Sequence, residues 1–364
     1  MRITFVLPFA SLSGGIRVVA AYARALTEAG HDVWVVSRPK RPRSTGLQAR
    51  VRRTWKTLTQ PPQNTVTPLL DFLGDRHIVL DRFRPVEAAD VPDADAVIAT
   101  WWETAPSVAA FPPEKGRKFY LLQDYETFDN LPVDEVAATY HLPLRKIAVS
   151  SYIRDCLVTH HGVAPDMIDI IPNAVDTTQF DAPPRSRGTP PTIGFLFQTH
   201  PRKRVELAIE AIKLARAARP DLQVIAFGKK RPDPAFGLPG RVDYHVAPPQ
   251  AEIPRLYAAC DMWLFTSRSE GFGLPLLEAL ACRTPVLATR AGAAPDLIDD
   301  RNGRLLDPTP EAFAGAICQM ADLPDTQWQA MSAAAHQTAH RYGWAEAAAR
   351  LAETLRPAPA TEQC

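Results

Sequence analysis

The stretch SRSEGFGLPLLEAL, residues 267–280, predicts a glycine-rich turn that leads from a strand into a helix. It continues the apolar run DMWLFTS, residues 261–267, which is typical of a buried strand. Gly271 and Gly273 let main-chain amides approach a ligand closely, and Pro275 suits the first turn of a helix. Helix N-termini bind phosphate, and open α/β sheets bind ligands at the carboxyl ends of their strands. The turn is therefore predicted to lie in a binding site.

Two glutamates, Glu270 and Glu278, flank this turn with seven residues between them. A carboxylate accepts hydrogen bonds from neighbouring hydroxyls of a sugar or a ribose. A ligand with phosphate in its middle and hydroxylated rings at both ends is a nucleotide sugar. The alternative is a solvated turn followed by a helix cap, with no ligand.

Length and composition favour two ordinary globular domains. The chain has 364 residues, of which 46% are hydrophobic and 22% charged. A net charge of +1 gives no general attraction to nucleic acid, so we expect no nucleic-acid partner. Five scattered cysteines indicate reduced thiols and a cytoplasmic protein. No apolar run is long enough to span a bilayer, and the N-terminal apolar run is interpreted as a strand rather than a signal peptide.

The order of apolar runs predicts tandem α/β domains with parallel sheets. Strand-like runs such as DVWVVS, KFYLLQ, TIGFLF and LQVIAFG alternate with helix-like segments. The proline-rich stretch DAPPRSRGTPP is typical of a linker. The predicted bounds are 1–180 for the first domain, 181–191 for the linker, 192–340 for the second domain, and 341–364 for a helix that could cross back to the first domain, followed by a frayed tail.

Residues 38–56 form a strongly basic segment without an acidic residue. Leu47, Val51 and Trp55 recur at four-residue spacing, as in a helix with one apolar face. Such a helix could lie on an anionic membrane surface or bind an anionic acceptor, which would place the protein at the inner face of the membrane. A mobile solvated loop is the other interpretation.

Three blocks of the chain resemble retaining glycosyltransferases of family 4, in that family's order. They are SGGIRVVAAYARALTEAGHDVWVV (13–36), KIAVSSYIRDCLVTHHGVAPDMIDIIPNAVDTTQF (146–180) and LYAACDMWLFTSRSEGFGLPLLEALACRTPVLATRAGAAPDLI (256–298). The resemblance implies an α/β protein of the GT-B fold, in which two Rossmann-like parallel-sheet domains face a central cleft. In that family the second domain holds most of the sugar donor and the first domain holds most of the acceptor.

The resemblance also implies roles for individual residues. Glu278 would hold the donor ribose and Glu270 the donor sugar. Gly14 and Gly15 match a loop that approaches the diphosphate, although a simple tight turn would look the same. The amides expected against the sugar and diphosphate are those of Gly271, Phe272, Gly273 and Leu274.

The chain departs from the family's cationic pair. The family places an arginine and a lysine after the first strand of its second domain, to neutralise the leaving diphosphate. Lys203 stands at the lysine position, but no arginine directly follows Gly194. Arg202 or Arg204 could substitute. The alternative is a basic turn that faces solvent.

A second departure concerns the histidine that many members carry beside the anomeric carbon. Gln123 stands at the matching position, and Asp124 and Glu126 follow it. Asp124 is the candidate catalytic residue of this stretch, alongside Glu270 and Lys203. His160 and His161 are expected to be structural.

No metal or other cofactor is expected. The only Asp-x-Asp pattern, residues 93–95, precedes a predicted strand and is better explained as a turn.

The sequence therefore favours a retaining hexosyl- or deoxyhexosyltransferase that moves sugar from a nucleotide sugar to a glycan or lipid-linked acceptor, in cell-surface polysaccharide or glycolipid synthesis. A catalytically silent nucleotide-sugar-binding subunit is the main alternative, prompted by Gln123. A nicotinamide-dependent dehydrogenase lacks support because the first turn has no Gly-x-Gly-x-x-Gly, and an epimerase of similar fold would carry other motifs.

Overall fold

The computed structural model describes residues 1–11, 13–40, 68–126, 128 and 131–357. The chain forms two compact units. The first comprises Met1–Ile147, Leu157–Asp169 and the chain from Ala348 onward, and the second comprises Ala148–Cys156 and Ile170–Ala347. None of the helices in the described ranges is both long and apolar enough to cross a lipid bilayer.

The first unit is built on a sheet of seven strands in the described residues, in the order β3-β2-β1-β4-β5-β6-β7. The pairings from β3 through β5 are all parallel. The strands are β1 (Arg2–Leu7), β2 (Asp32–Ser37), β3 (His77–Val79), β4 (Ala96–Ala99), β5 (Arg117–Leu122), β6 (Arg145–Ala148) and β7 (Ile168–Ile170). The helices in this part of the chain are α1 (Gly14–Glu28), α2 (Ala105–Ala110), α3 (Val133–Tyr140) and α4 (Ser151–His161).

Continuous apolar runs produce this sheet, because strands covered by helices on both faces have no solvent-facing side. In β1 every residue after Arg2 is buried, and all of β4 is buried. Helix α1 covers the sheet with one apolar face that includes Ile16, Val19 and Leu26. The predicted strand–helix–strand start of the chain is confirmed.

The second unit repeats the plan with six parallel strands in the order β10-β9-β8-β11-β12-β13. The strands are β8 (Thr192–Leu196), β9 (Gln223–Gly228), β10 (Asp243–Val246), β11 (Met262–Phe265), β12 (Val286–Ala288) and β13 (Gly303–Leu305). The helices are α5 (Val205–Ala218), α6 (Ile253–Ala258), α7 (Leu274–Ala281), α8 (Ala294–Leu297), α9 (Pro310–Ala321), α10 (Asp325–Ala339) and α11 (Trp344–Leu355). Two Rossmann-like parallel-sheet units were predicted, and the prediction is correct.

The proline-rich segment 181–191 lies within the second unit and is fixed there by side-chain contacts. Arg185 donates to the buried carboxylate of Asp261 at 2.7 Å, and its guanidinium lies over the Trp328 ring, 4.6 Å from the ring centroid. The amides of Gly188 and Thr192 donate to the same carboxylate, at 2.8 and 2.7 Å. A buried carboxylate needs hydrogen-bond donors, and this segment supplies them.

At the other end of the chain, Arg117 of β5 donates to the carbonyl of Leu355 at 3.1 Å. The end of α11 therefore belongs to the first unit, whereas the helix begins in the second.

The predicted basic segment lies mostly outside the described residues, which resume at Pro68. Its first member, Arg38, is buried, donates to the carbonyl of Pro8 at 3.0 Å and pairs with Glu103. Arg38 is thus a structural cation and does not belong to a solvated or membrane-facing surface. The prediction does not hold for Arg38, because a run of like charges does not show which member is buried and paired within the fold.

Candidate functional site in the second unit

The turn quoted from the sequence lies at the carboxyl end of β11, as predicted. Strand β8 is the immediate neighbour of β11, with Gly194 paired to Trp263. After β8 the chain makes a single 3₁₀ turn, Pro201–Lys203, before α5 begins. Because parallel strands end at the same edge of a sheet, the segments that carry Lys203 and Glu270 meet there.

Lys203 and Glu270 form an ion pair at this edge. Nζ of Lys203 donates to Oε1 of Glu270, and the hydroxyl of Ser267 donates to the same oxygen at 2.6 Å. Glu270 is 7% exposed, so its charge is held by these donors rather than by bulk water. The lysine side chain is 21% exposed. The structure therefore brings together two predicted site residues that are 67 positions apart.

Main-chain bonds fix the two segments against each other. The amide of Arg268 donates to the carbonyl of Arg202 at 2.6 Å. The hydroxyl of Thr266 donates to the carbonyl of Arg204 at 3.0 Å. Arg204 has a left-handed conformation, with φ of 44°, and ends the 3₁₀ turn just before α5. The cationic turn after β8 is thus held by hydrogen bonds to the segment that follows β11.

Gly273 is required by the geometry of the turn. It has φ of +96°, and a Cβ atom built on it would lie 2.7 Å from Cζ of Phe265. Only glycine combines that backbone conformation with so close an approach. Gly273 is the N-cap residue of α7, so the helix begins from a left-handed position directly after the turn.

A third loop, after β12, supports the turn from behind. Ala293 donates its amide to the carbonyl of Phe272 at 2.9 Å. A Cβ atom at the neighbouring Gly292 would lie 2.8 Å from Cβ of Glu270. Sequence reasoning missed this loop, although its glycine among alanines in ATRAGAAPDLI is the kind of signal that marks a close backbone approach.

The start of α4, which belongs to the same compact unit, also contacts the turn. Ser150 donates its hydroxyl to the carbonyl of Gly271 at 2.6 Å, and Tyr152 lies 3.2 Å from Ser269, hydroxyl to hydroxyl. These contacts give the carbonyl of Gly271 a hydrogen-bond donor and hold the segment around Tyr152 against the turn. Within the described residues, no acceptor pairs with the amides of Gly271, Phe272, Gly273 and Leu274.

Glu278 lies one turn further along α7 and is half-buried. The hydroxyl of Tyr257, on α6, donates to its Oε2 at 2.9 Å. Burial raises the pKa of Tyr257 well above its usual value, so the phenol keeps its proton and acts as a donor. Tyr257 therefore orients the carboxylate that was predicted to bind ribose.

A solvent-open pocket lies at this edge of the second sheet. Its polar lining comes from the segments after β8 and β11, and its floor from apolar strand residues. The lining includes Gln198, Lys203, Thr266, Ser267, Glu270 and Pro275. A cation, a buried carboxylate and a helix N-terminus thus surround one concave surface, which suits a ligand that carries both phosphate and hydroxyl groups.

In the first unit, the predicted glycine loop and Gln123 lie next to each other. Gly14 and Gly15 begin α1 directly after the loop that follows β1. A Cβ atom at Gly15 would lie 3.3 Å from Oε1 of Gln123, whereas one at Gly14 would have no neighbour within 4 Å. The glycine loop that follows β1 and Gln123, which follows β5, are therefore neighbours in the structure.

Asp124 and Glu126 follow β5 in different environments. Asp124 is partly exposed, and its Oδ1 accepts the amide of Tyr125 at 2.9 Å. Glu126 is 1% exposed and accepts the amide of Trp102 at 2.9 Å. Burial raises the pKa of Glu126 to about 8, with backbone bonding from Trp102 opposing the shift. Asp124 is therefore the accessible carboxylate of the pair, and Glu126 joins the segments after β4 and β5.

The two neighbouring histidines differ. Nε2 of His161 lies 2.8 Å from the hydroxyl of Tyr125, and its ring packs edge-on to Tyr140. His160 is exposed, with its ring 6.2 Å from that of Tyr125.

The two aspartates of the Asp-x-Asp pattern, Asp93 and Asp95, precede β4. Asp93 pairs with Lys115, and Asp95 accepts a hydrogen bond from the amide of Arg2.

Two family models match nearly the whole chain in succession. Residues 12–179 match the model described as Glycosyltransferase Family 4, and residues 176–337 match the model described as Glycosyl transferases group 1. The chain belongs to the family-4 glycosyltransferases. The family placement that the three sequence blocks predicted is confirmed.

Curated relatives of this family-4 chain include D-inositol 3-phosphate glycosyltransferases. The chain is 34% identical to that of Arthrobacter sp. over 223 residues, covering 56% of this chain and 53% of the relative. It is also 34% identical to that of Pseudarthrobacter chlorophenolicus over 235 residues, covering 59% and 56%. The match thus spans about half the length of these relatives.

Solved structures confirm the GT-B fold. Anabaena HepE, solved in complex with UDP and glucose, aligns with a TM-score of 0.70 at 18% identity and covers 98% of this chain and 99% of its own. Staphylococcus aureus TarM aligns with a TM-score of 0.71 at 12% identity and covers 98% and 100%.

Proposed function

We propose that this chain transfers a sugar, with retention of anomeric configuration, from a nucleoside diphosphate sugar to a glycan or lipid-linked acceptor in cell-surface polysaccharide or glycolipid synthesis. The observation that carries the proposal is the Lys203–Glu270 pair beside the N-terminus of α7. This pair places a positive charge and a buried carboxylate together at the carboxyl edge of the second unit's sheet. The HepE complex with UDP and glucose supports a nucleotide-sugar donor, and the name of the inositol 3-phosphate glycosyltransferases supports glycosyl transfer.

In the proposed complex, the ribose, the sugar and the diphosphate of the donor each bind to a different part of the site. Glu278, oriented by Tyr257, accepts hydrogen bonds from the ribose hydroxyls. Glu270 accepts hydrogen bonds from the sugar hydroxyls. The amides of Gly271, Phe272, Gly273 and Leu274, which begin α7, face the sugar and the diphosphate.

Lys203 is the principal catalytic group in this scheme. Before donor binding its ammonium is paired with Glu270, and binding brings the diphosphate within its reach. As the bond between the anomeric carbon and the phosphate oxygen breaks, negative charge develops on the diphosphate, and Lys203 with Arg202 stabilises it. These cations take the role that a divalent metal would otherwise have, so we propose turnover without one.

Retention follows from attack on the face that the leaving group vacates. The acceptor hydroxyl forms a bond to the anomeric carbon, and its proton passes to an oxygen of the departing diphosphate. Asp124 then serves to position acceptor or donor hydroxyls, since it is the accessible carboxylate after β5. Catalysis in this scheme depends chiefly on positioning and on charge stabilisation.

The proposal is tested with a panel of nucleotide sugars. Nucleoside diphosphate release and thermal shift are measured on the wild type and on Glu278→Ala. One donor should both stabilise the wild type and be turned over, and Glu278→Ala should lose both effects. If no nucleotide sugar changes the melting temperature, the assignment of the turn is wrong.

A binding subunit without turnover is the second candidate, and Gln123 beside Gly15 favours it. An amide cannot take a proton as an imidazole can, so a mechanism that needs a side-chain base at this position would fail. Donor binding through Glu278 without any diphosphate release, even with cell extract as a source of acceptors, would favour this candidate.

We further propose that the chain works in the cytoplasm at the inner membrane surface, through the basic residues of the segment 38–56 other than Arg38. Arg38 does not take part, because it is buried against Glu103. Replacing Arg50, Arg52 and Arg53 with glutamate should abolish co-sedimentation with anionic vesicles. Unchanged vesicle binding by this variant would contradict the proposed membrane association. It would not affect the proposed reaction with the nucleotide sugar.

A further inference from the structure

A cluster of two histidines and an aspartate lies in the second unit, apart from the turn between β11 and α7. Asp181 begins the proline-rich segment, and His336 and His340 lie at the end of α10. One ligand atom from each of the three lies within 4.8 Å of the others. We infer that Asp181, His336 and His340 bind a divalent transition-metal ion of the zinc class, which ties the proline-rich segment to α10.

The spacing of the histidines suits shared ligation. Residues four apart project from the same face of a helix, and the two imidazole rings lie with their centroids 3.9 Å apart. A zinc ion bonds imidazole nitrogen at about 2.0–2.1 Å and carboxylate oxygen at about 2.0–2.2 Å. Ligand atoms within 4.8 Å of one another reach such a centre after small side-chain rotations.

Hydrogen bonding prepares the ring of His340 for a metal. Its Nδ1 lies 3.0 Å from the carbonyl of His336, so this nitrogen carries the proton and donates. The other nitrogen, Nε2, then has its lone pair available. Metal-ligating histidines commonly donate the second ring N–H to a carbonyl, which fixes both tautomer and orientation.

Asp181 and His336 are already in contact. Oδ1 of Asp181 lies 2.8 Å from Nε2 of His336, at a site where the histidine side chain is 19% exposed and the aspartate 55% exposed. A metal ion would take the place of the shared proton. The remaining coordination positions would face solvent and take water.

The segments that carry these ligands are held together independently of a metal. Arg283 donates to the carbonyl of Ala182 at 2.6 Å, and Ser332 of α10 donates to the carbonyl of Arg283 at 2.7 Å. Asp181 therefore stays near α10 without an ion, so the site is largely preformed. The positive charge of Arg283 opposes a cation nearby, and the carboxylate of Asp181 compensates for it.

The chemical types of the three ligands indicate which class of metal ion the cluster would bind. Two imidazoles and one carboxylate suit zinc, cobalt or nickel and do not suit calcium or magnesium, which prefer all-oxygen sites. None of the three residues belongs to the proposed donor site. The ion would therefore be structural, and its loss would lower thermal stability without being required for the chemistry at Lys203.

The test uses the full chain after treatment with a chelator. Zinc is titrated by calorimetry, cobalt by its visible absorption, and melting temperature is followed with and without zinc. The variants are His340→Ala, the double change His336→Ala with His340→Ala, and His245→Ala as the matched control. His245 also pairs with one carboxylate, that of Asp243 at 3.2 Å, and is not part of a three-residue cluster in the described chain.

We expect one equivalent of zinc, a rise in melting temperature, and cobalt bands typical of nitrogen and oxygen ligands. His340→Ala should weaken zinc binding by at least about tenfold, a loss of roughly 1.4 kcal/mol, and the double variant should abolish it, while His245→Ala binds like the wild type. No zinc uptake at micromolar concentrations would overturn the inference. Equal uptake by the double variant would also overturn it, because the ion would then be bound elsewhere.

Discussion

The hydroxyl of Tyr257 donates a 2.9 Å hydrogen bond to Oε2 of Glu278, and so one helix of the second unit orients the carboxylate of the next. Tyr257 is 1% exposed and packs against Trp263, with ring centroids 4.5 Å apart. The position of Glu278 is therefore set by the core and not by solvent.

Changing Tyr257 to phenylalanine should weaken donor binding less than changing Glu278 to alanine. Tyr257→Phe removes one hydrogen bond to a carboxylate, worth about 1.5–3 kcal/mol, and leaves Glu278 itself in place. Glu278→Ala removes the ribose ligand itself. Dissociation constants for the nucleoside diphosphate, measured by calorimetry, give the comparison. Equal affinity of Glu278→Ala and wild type would show that the ribose is held elsewhere.

Gly273→Ala should destabilise the second unit. The left-handed conformation costs an alanine about 1–2 kcal/mol, and the added Cβ would lie 2.7 Å from the Phe265 ring. Gly315→Ala is the matched control, because Gly315 lies within α9 and a Cβ there meets nothing within 4 Å. The control should be neutral or slightly stabilising, since alanine is the better helix former. Urea unfolding measures both, and equal midpoints for the two variants would contradict the assigned geometry.

Gly15→Ala should impair turnover more than Gly14→Ala does. A Cβ at Gly15 would press on the amide of Gln123 at 3.3 Å, whereas Gly14 has open space. We expect the shifted glutamine to disturb the loop after β5, which carries Asp124. The rate of diphosphate release is compared for the two variants. If both are impaired equally, the contact between Gly15 and Gln123 has no part in activity.

Glu126 should make the first unit less stable as pH rises through neutrality. Burial raises its folded-state pKa to about 8, from a usual value of 4.5. Between these values the folded chain keeps a proton that the unfolded chain releases. The free energy of unfolding therefore falls with pH by up to about 1.4 kcal/mol per unit, and this contribution levels off above pH 8.

The matched variant for this effect is Glu126→Gln, which keeps the shape and does not titrate. The charged and titratable groups around Glu126 are Asp124, Tyr120 and Tyr140, and each remains in the variant. The difference in urea midpoint between wild type and variant should widen from pH 6 to pH 8. A constant difference over that range would show that Glu126 is ionised throughout.

Much of this fold is predictable from the sequence, because buried parallel strands are continuous apolar runs. DVWVVS became β2 without change, and TIGFLF and LQVIAFG contain β8 and β9. The short edge strands β3 and β10 were not predicted. None of their residues is fully buried, and HIV and DYHV carry no apolar periodicity long enough to mark a strand.

The candidate site was predictable in part. The turn around Glu270 combines glycines and proline in one short stretch, and Lys203 was found through the family resemblance. The contact of Tyr257 with Glu278 and the support from Gly292 were not found. Both depend on how helices and loops pack, and no local pattern encodes a contact between residues 21 positions apart on different helices.

The most direct test of the central claim is the rate of nucleoside diphosphate release by Lys203→Ala, once a donor is known. The control is Lys213→Ala, since Lys213 lies on the following helix, α5, and pairs on the surface with Glu210. Loss of a positioned group that stabilises developing charge should lower kcat by about 100- to 1000-fold, while nucleoside affinity changes little and Lys213→Ala behaves like the wild type. A Lys203→Ala enzyme that folds normally and turns over within about twofold of the wild type, well short of that loss, would contradict the claim that this lysine neutralises the leaving diphosphate.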